Sequence, residues 1–131
     1  MSRDIIRTWP AFIKPRRVHE IFTHDFGEFY FTLGHGKPKD EIDRLWWTYR
    51  GHILGSFKVN RIVQNLGQLP KLRSLSGEKS EWQIRHGNWV AICRPPFVPL
   101  RDRVFHESFR GWRYFELESY RGTIDAKVKI A

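Results

Sequence analysis

The sequence predicts a mainly β domain with short helices, an α+β chain whose strands close into a small β-barrel or a strongly bent sheet. Three observations carry that prediction. Short stretches of alternating or β-rich composition recur along the 131 residues, separated by glycine, proline and charged turn signals. No long helical period competes with them. With 40% hydrophobic residues the chain can bury a core, so residues 1–131 read as a single domain. Within it, residues 1–27 form a helical or extended lead-in and residues 28–131 the barrel.

In chain order, Ile5, Ile6, Trp9, Phe12 and Ile13 stand at helical spacing, but Pro10 falls inside the pattern and Pro15 follows it. A short helix or an extended piece docking on the barrel fits both facts. Val18, Ile21 and Phe22 suit a second short helical piece ending before Gly27, and Lys14, Arg16 and Arg17 make a basic cluster. Residues 28–33, EFYFTL, are a strand closed by Gly34-His35-Gly36. The polar stretch 37–44 has no apolar stripe, which predicts a loop or one helical turn.

Residues 45–63, LWWTYRGHILGSFKVNRIV, organise the rest. Odd positions carry Leu45, Trp47, Tyr49, Ile53, Phe57 and Val59, while even positions carry Thr48, His52, Ser56, Lys58 and Asn60. That is the period of a half-buried strand pair, with Arg50-Gly51 as the tight turn. Gly55 marks a bulge or a close backbone approach. Trp46 and Leu54 point against the pattern.

Residues 64–80 read as an irregular, basic loop. A second hairpin is expected over 81–93, with Trp82 and Ile84 in one arm, Trp89 to Cys93 in the other, and Arg94-Pro95-Pro96 ending it. Residues 97–113 mix loop and short strand, 114–118 form a strand, and alternation over 123–130 predicts a last one.

Lys and Arg total 23 against 14 Asp and Glu, a net charge of +9, which favours an anionic partner, nucleic acid above all. No apolar run is long enough to span a membrane, and the start lacks the apolar stretch of a signal peptide. The single Cys93 cannot form an internal disulfide. A cytoplasmic monomer that binds RNA or DNA, with no membrane partner, is the resulting expectation.

Chemistry by other routes finds little footing. His19, Glu20 and His24 give H-E-x-x-x-H, which sets the two rings about 140° apart on a helix rather than on one face. No Cys-x-x-Cys pair exists, so no metal is expected. Gly34-His35-Gly36 lacks the third glycine of a dinucleotide fingerprint, and no cofactor is expected. Cys93 beside Arg94 is the only thiol, and a lone strand cysteine usually serves as a small hydrophobe. Glu107, Glu116 and Asp125 are carboxylates that no spacing singles out, so no catalytic residue is assigned.

What remains is the interleaving of aromatic and basic groups, with six Trp and 15% aromatic residues overall. Flat rings stack on exposed bases while Arg and Lys hold phosphates. By alternation Trp47, Trp89 and Phe115 belong to the core. Trp46, off the buried register, and Trp112, in the glycine-broken run Arg110-Gly111-Trp112-Arg113-Tyr114, are the better ligand candidates.

The order of pieces, FYFTLG followed by a polar stretch and then RGHILGSFKVNRIV, resembles the PUA-like superfamily with its EVE and ASCH domains. The later HESFRGWRYFEL is similar to the closing strands of EVE-type barrels, and the resemblance spans about residues 28–118. It implies a small PUA-like β-barrel flanked by short helices that binds nucleic acid and holds a flipped or modified base in a pocket. Trp46, Trp47, His52, Trp112 and Tyr114 would then line the base pocket. Lys14, Arg16, Arg17, Lys58, Arg94, Arg101, Arg103, Arg110 and Arg113 would contact the nucleic-acid backbone. The alternatives are a hydrolase of a modified nucleoside or RNA using the same pocket, and a basic protein-interaction domain. The ASCH segment G-x-K-x-x-E-x-R has no counterpart near the N-terminus, which ranks the hydrolase second.

Overall fold

The computed structural model describes residues 2–23, 27–34, 36–67, 73–74 and 86–118. Strands β1 (Arg3–Trp9), β2 (Phe29–Gly34), β3 (Ile42–Tyr49), β4 (His52–Gln64), β5 (Arg73–Ser74), β6 (Trp89–Pro99) and β7 (Trp112–Phe115) join one seven-stranded sheet. Its order is β5-β2-β6-β4-β3-β1-β7, with β1–β3 and β2–β5 parallel and the other pairs antiparallel. One helix, α1 (Pro15–Phe22), accompanies it among the described residues. The sheet curls into a half-barrel.

Curling brings strands that are not neighbours in the sheet face to face. Trp9 of β1 meets Phe31 of β2 edge to face at 6.2 Å between ring centroids. Arg7 of β1 donates from Nη1 to the Thr32 carbonyl of β2. The inner face holds the main core, where Phe29, Phe31, Leu45, Trp47 and Phe57 are each 2% exposed or less. Edge-to-face ring pairs recur there, as the quadrupoles of aromatic rings favour. Helix α1 closes this core with Val18, Ile21 and Phe22, the last stacked on Phe97 at 4.0 Å. Pro15 suits the first turn of that helix, where its missing N–H costs nothing.

The outer face carries two smaller clusters. Ile6, Ile53, Val104 and Phe115 form one, against which Trp46, Leu100 and Phe109 pack; Tyr30, Val90 and Ile92 form the other. Residues 100–111 lie over the first.

The central hairpin matches its alternation, including the turn, where Arg50 and Gly51 both take positive φ (50° and 85°). Gly55 is the expected bulge. The register slips between Trp47 and Thr48, and a Cβ on Gly55 would stand 2.2 Å from the Val98 carbonyl oxygen. The slip also settles Leu54. It swings Leu54 toward the inner core and sends Ile53, expected there, into the outer cluster.

Several expectations need correction. Of the two alternatives for residues 3–9, the helix is replaced by the extended form, and that piece is a full strand of the sheet between β3 and β7, with Ile5 and Ile6 both fully buried. A strand covered on both faces shows no alternation, which is why adjacent isoleucines mimicked a helical stripe. Pro95 and Pro96 do not end β6, which runs to Pro99. They fall where the register slips between the Lys58–Arg94 and Ser56–Val98 pairs, so no ladder N–H is lost. Strand β3 begins at Ile42, inside the expected loop, and β7 starts at Trp112 rather than Tyr114. The arm with Trp82 and Ile84, and the strand over 123–130, lie outside the described residues. No helix among the described residues is long and apolar enough to cross a membrane.

Candidate nucleic-acid interface

Three cations stand side by side across the outer face of the sheet. Arg44 on β3 faces Lys58 on β4, and Lys58 faces Arg94 on β6. Their chain neighbours Leu45, Phe57 and Cys93 fill the inner core, so the pleat turns all three outward. At roughly 4.8 Å between adjacent strands, the row spans about 10 Å. Like charges directly opposite one another destabilise a sheet. Part of that repulsion is offset: Lys58 pairs with Asp43, and Arg44 donates from Nε to Ser56 Oγ at 2.6 Å and from Nη2 to the Ser56 carbonyl at 3.2 Å. Arg94 is exposed and makes no ion pair among the described residues. Arg61 continues the basic character along β4, bound to Glu28 at 2.9 Å. Hydrogen bonds from Asn60 and then Arg61 hold the Glu28 carboxyl below the usual carboxylate range.

The arginines of residues 101–113 share this side of the sheet, because Val104 and Phe109 anchor their segment on the outer cluster. Arg101, Arg103, Arg110 and Arg113 are all exposed. Arg103 lies 3.2 Å from His52 Nε2, and Arg113 pairs with Glu107 at 3.5 Å above the Phe109 ring. Arg101 and Arg110 have no ion pair among the described residues. Arg16 and Arg17 instead belong to α1, which covers the inner core, with Lys14 at its N-cap, and the two arginines both reach Glu20. They form a second basic patch apart from the row.

The aromatic positions expected to line a base pocket are not brought together. Trp47 is 2% exposed inside the inner core, while its neighbour Trp46 lies on the outer face. The Trp46 indole donates to Asp4 Oδ2 at 2.8 Å, and its ring tilts against Phe115 at 5.4 Å. Trp112 and Tyr114 sit on the edge strand β7, on the inner side, in edge contact at 5.2 Å. Both anchor the link between β2 and β3. Trp112 donates to the Gly36 carbonyl at 3.0 Å, and the Tyr114 hydroxyl accepts from the Lys39 backbone N–H at 2.9 Å. Arg3 covers the Tyr114 ring at 3.7 Å. His52 lies at the hairpin end of the sheet, bridged to Phe105.

Two arginines escaped the sequence reading. Arg44 stands just before the hairpin's apolar run, on the same alternation as Lys58. Arg7 alternates with Ile5 and Trp9 and therefore points inward, between Trp47 on β3 and Trp112 on β7. Its guanidinium lies 5.9 Å from the Trp47 ring centroid and makes no ion pair among the described residues. Burial pushes its pKa down from the ordinary arginine value to about 10. Arg7 Nε, Trp9 Nε1 and Trp47 Nε1 are buried with no hydrogen-bond partner among the described residues. Each such orphan donor costs about 1–3 kcal/mol.

Cys93 is fully buried, and burial pushes its thiol well up, against a weaker opposing pull from Arg44. A buried thiol of that kind is no nucleophile at neutral pH. An apolar groove of about 450 Å³ opens between α1 and the sheet, lined by Val18, His19, Phe22, Leu54 and Phe97 among others.

No family model, curated protein or solved structure matches the chain.

Proposed function

We propose that the protein is a nucleic-acid-binding module that lays the outer face of its sheet on a phosphate backbone. The cross-strand row Arg44–Lys58–Arg94 carries this reading, because three adjacent cations cost stability and an anionic strand repays that cost. The arginines at 101 and 110 extend the same face, and the net charge of +9 steers anions toward it. The half-barrel is read as a PUA-like barrel, in line with the resemblance of residues 28–118. Base selectivity is not assigned to Trp46, Trp47, His52, Trp112 and Tyr114 as one pocket, since they stand on both faces of the sheet.

Titration of labelled single-stranded and duplex oligonucleotides across a salt series tests the reading. A row of three phosphate contacts gives a log–log slope of at least about −2 on single strands. Salt-insensitive affinity, or no binding at low salt, would overturn it.

A further inference from the structure

We propose that the turn of residues 10–13, with Phe12 at its apex, is a stacking contact for an unpaired nucleic-acid base, and that Lys14, Arg16 and Arg17 beside it take the flanking phosphates. The proposal rests on the reading of the protein as a nucleic-acid-binding module. It adds a contact on the α1 side, apart from the row Arg44–Lys58–Arg94.

Phe12 is 82% exposed, more than any other large apolar side chain among the described residues. Its backbone is nevertheless pinned. The Ile13 N–H donates to the Pro10 carbonyl at 3.1 Å and closes the turn. Arg50 donates from Nε and Nη2 to the Ala11 carbonyl at 3.1 and 3.0 Å, and the Tyr49 hydroxyl donates to the Ile13 carbonyl. Tyr49 ends β3 and Arg50 opens the tight turn after it, so the central hairpin holds Phe12 in place. A ring carried on ordered backbone loses little further freedom when a ligand covers it. One exposed ring is ordinary on a protein surface, but this one stands among cations. Lys14 is exposed and two residues on, within about 7 Å along the backbone. Arg16 and Arg17 follow in the first turn of α1, and Glu20 is the one acid in residues 10–23. The Arg16 side chain stays 91% exposed in its pair with Glu20, and exposed pairs of that kind yield readily to a phosphate.

Magnitudes choose between the anionic partners such a patch could meet. Stacking one base on one aromatic ring is worth about 5- to 150-fold in affinity, and the cations add phosphate contacts to it. An anionic membrane gains far less, because one ring is a poor anchor where even a whole acyl chain binds only marginally. Ile13, the other bulky apolar residue of the turn, packs on the inner core and is not free to insert beside Phe12. The base must be unpaired. In a duplex the neighbouring pairs already cover each base face, whereas a single strand leaves its faces open to the ring.

The test is an NMR titration of the full chain with an oligothymidylate and, separately, with a duplex of the same length. It follows the Phe12 ring protons and the backbone N–H groups of Ala11, Ile13 and Lys14, while those of Arg44, Lys58 and Arg94 report on the outer row in the same spectra. Saturable upfield shifts of the Phe12 ring are expected with the single strand, and weaker binding at these signals with the duplex. Phe12→Ala and Phe12→Leu should each weaken the affinity read at Ala11 and Lys14 by about 5- to 150-fold, and Phe12→Trp should preserve it. Lys14→Ala should make the log–log salt slope at those signals shallower by about 0.7, and an unchanged slope would overturn the phosphate contact. Because Phe12 is exposed, its variants should keep the wild-type melting midpoint. Saturation at the outer row with none at the turn would overturn this proposal and leave the module reading standing. Silence at both would remove the module reading as well. Affinity unchanged in Phe12→Leu would show that the face of the ring is not used, and would overturn the proposal, as would an equal response to the duplex. So would Phe12-dependent binding to phosphatidylserine vesicles without a ring response to oligothymidylate, which would assign the ring to a lipid surface.

Discussion

On the inner side of β3, β4 and β6 stand Leu45, Trp47, Phe57 and Cys93, none more than 2% exposed; on the outer side the same strands present Arg44, Lys58 and Arg94. One backbone therefore supports two surfaces of opposite character, one apolar and one basic. The inner surface resembles a protein interior, dense with rings, and the buried cation Arg7 on β1 is an exception to it. The outer surface sets a basic band between two small apolar clusters. Stability should reside mainly inside and anion affinity mainly outside, and each prediction below tests that division.

The largest effect belongs to Trp47. Its ring meets Trp9 at 5.0 Å and Phe31 at 4.7 Å, so Trp47→Ala empties the centre of the inner core. A loss of about 3–5 kcal/mol in urea unfolding is expected. A loss under about 1 kcal/mol would place the stabilising core elsewhere.

Arg7 is the exception inside, and its effect comes next. Its pKa falls from the ordinary arginine value to about 10 on folding, so in the window above about pH 10 the unfolded chain binds more protons than the folded one. Stability then rises with pH through that window. Below it the full cost of burying the cation is present, about 3 kcal/mol before the Thr32 hydrogen bond offsets part of it. Arg7→Met should therefore unfold no more easily than wild type at neutral pH. The gap in favour of the variant should hold steady at lower pH and narrow as pH rises above about 10. Parallel pH curves for the two proteins would remove Arg7 from the list of buried charges.

Trp46 tests the outer face. Its indole N–H meets the Asp4 carboxylate across the β1–β3 pair, a charge-assisted bond that also orients Asp4 toward the Arg44 backbone N–H. Trp46→Phe keeps a ring against Phe115 and removes that bond, at about 1.5–3 kcal/mol. Thermal melts measure it, and an unchanged midpoint would show that water replaces the indole without cost. A base-stacking role would instead appear as weaker oligonucleotide binding at full stability.

The contrast between faces also explains what could be read from the chain. The hairpin was legible because alternation and the Arg50-Gly51 turn are local signals. Gly55 was legible as a bulge, but the strand that crowds it, Pro99 and Val98 of β6, is more than forty residues away in sequence. Strand β1 was not legible, since burial on both faces erased its period. The partners of Trp46 and Trp112, Asp4 and Gly36, stand 42 and 76 residues distant. Trp46 therefore looked like a free ring on a polar face. Arg7 could have been found by its alternation with Ile5 and Trp9, but only once residues 3–9 were taken as a strand.

The smallest effect on stability should come from Arg94, and it is the most informative about the outer face. Arg94 is exposed, lies opposite Lys58, and has no acidic partner among the described residues. Removing it relieves a like-charge neighbour and breaks no ion pair, so Arg94→Ala should change the unfolding free energy by less than about 0.5 kcal/mol. Binding should respond differently. If Arg94 meets a phosphate, the salt slope should become shallower by about one, with affinity falling to a similar extent on unrelated sequences. Arg110→Ala, on the same side but away from the row, separates a built row from diffuse charge. Equal losses for the two would mean that net charge alone sets affinity. A loss confined to Arg94 ties affinity to the row that the pleat of β3, β4 and β6 assembles.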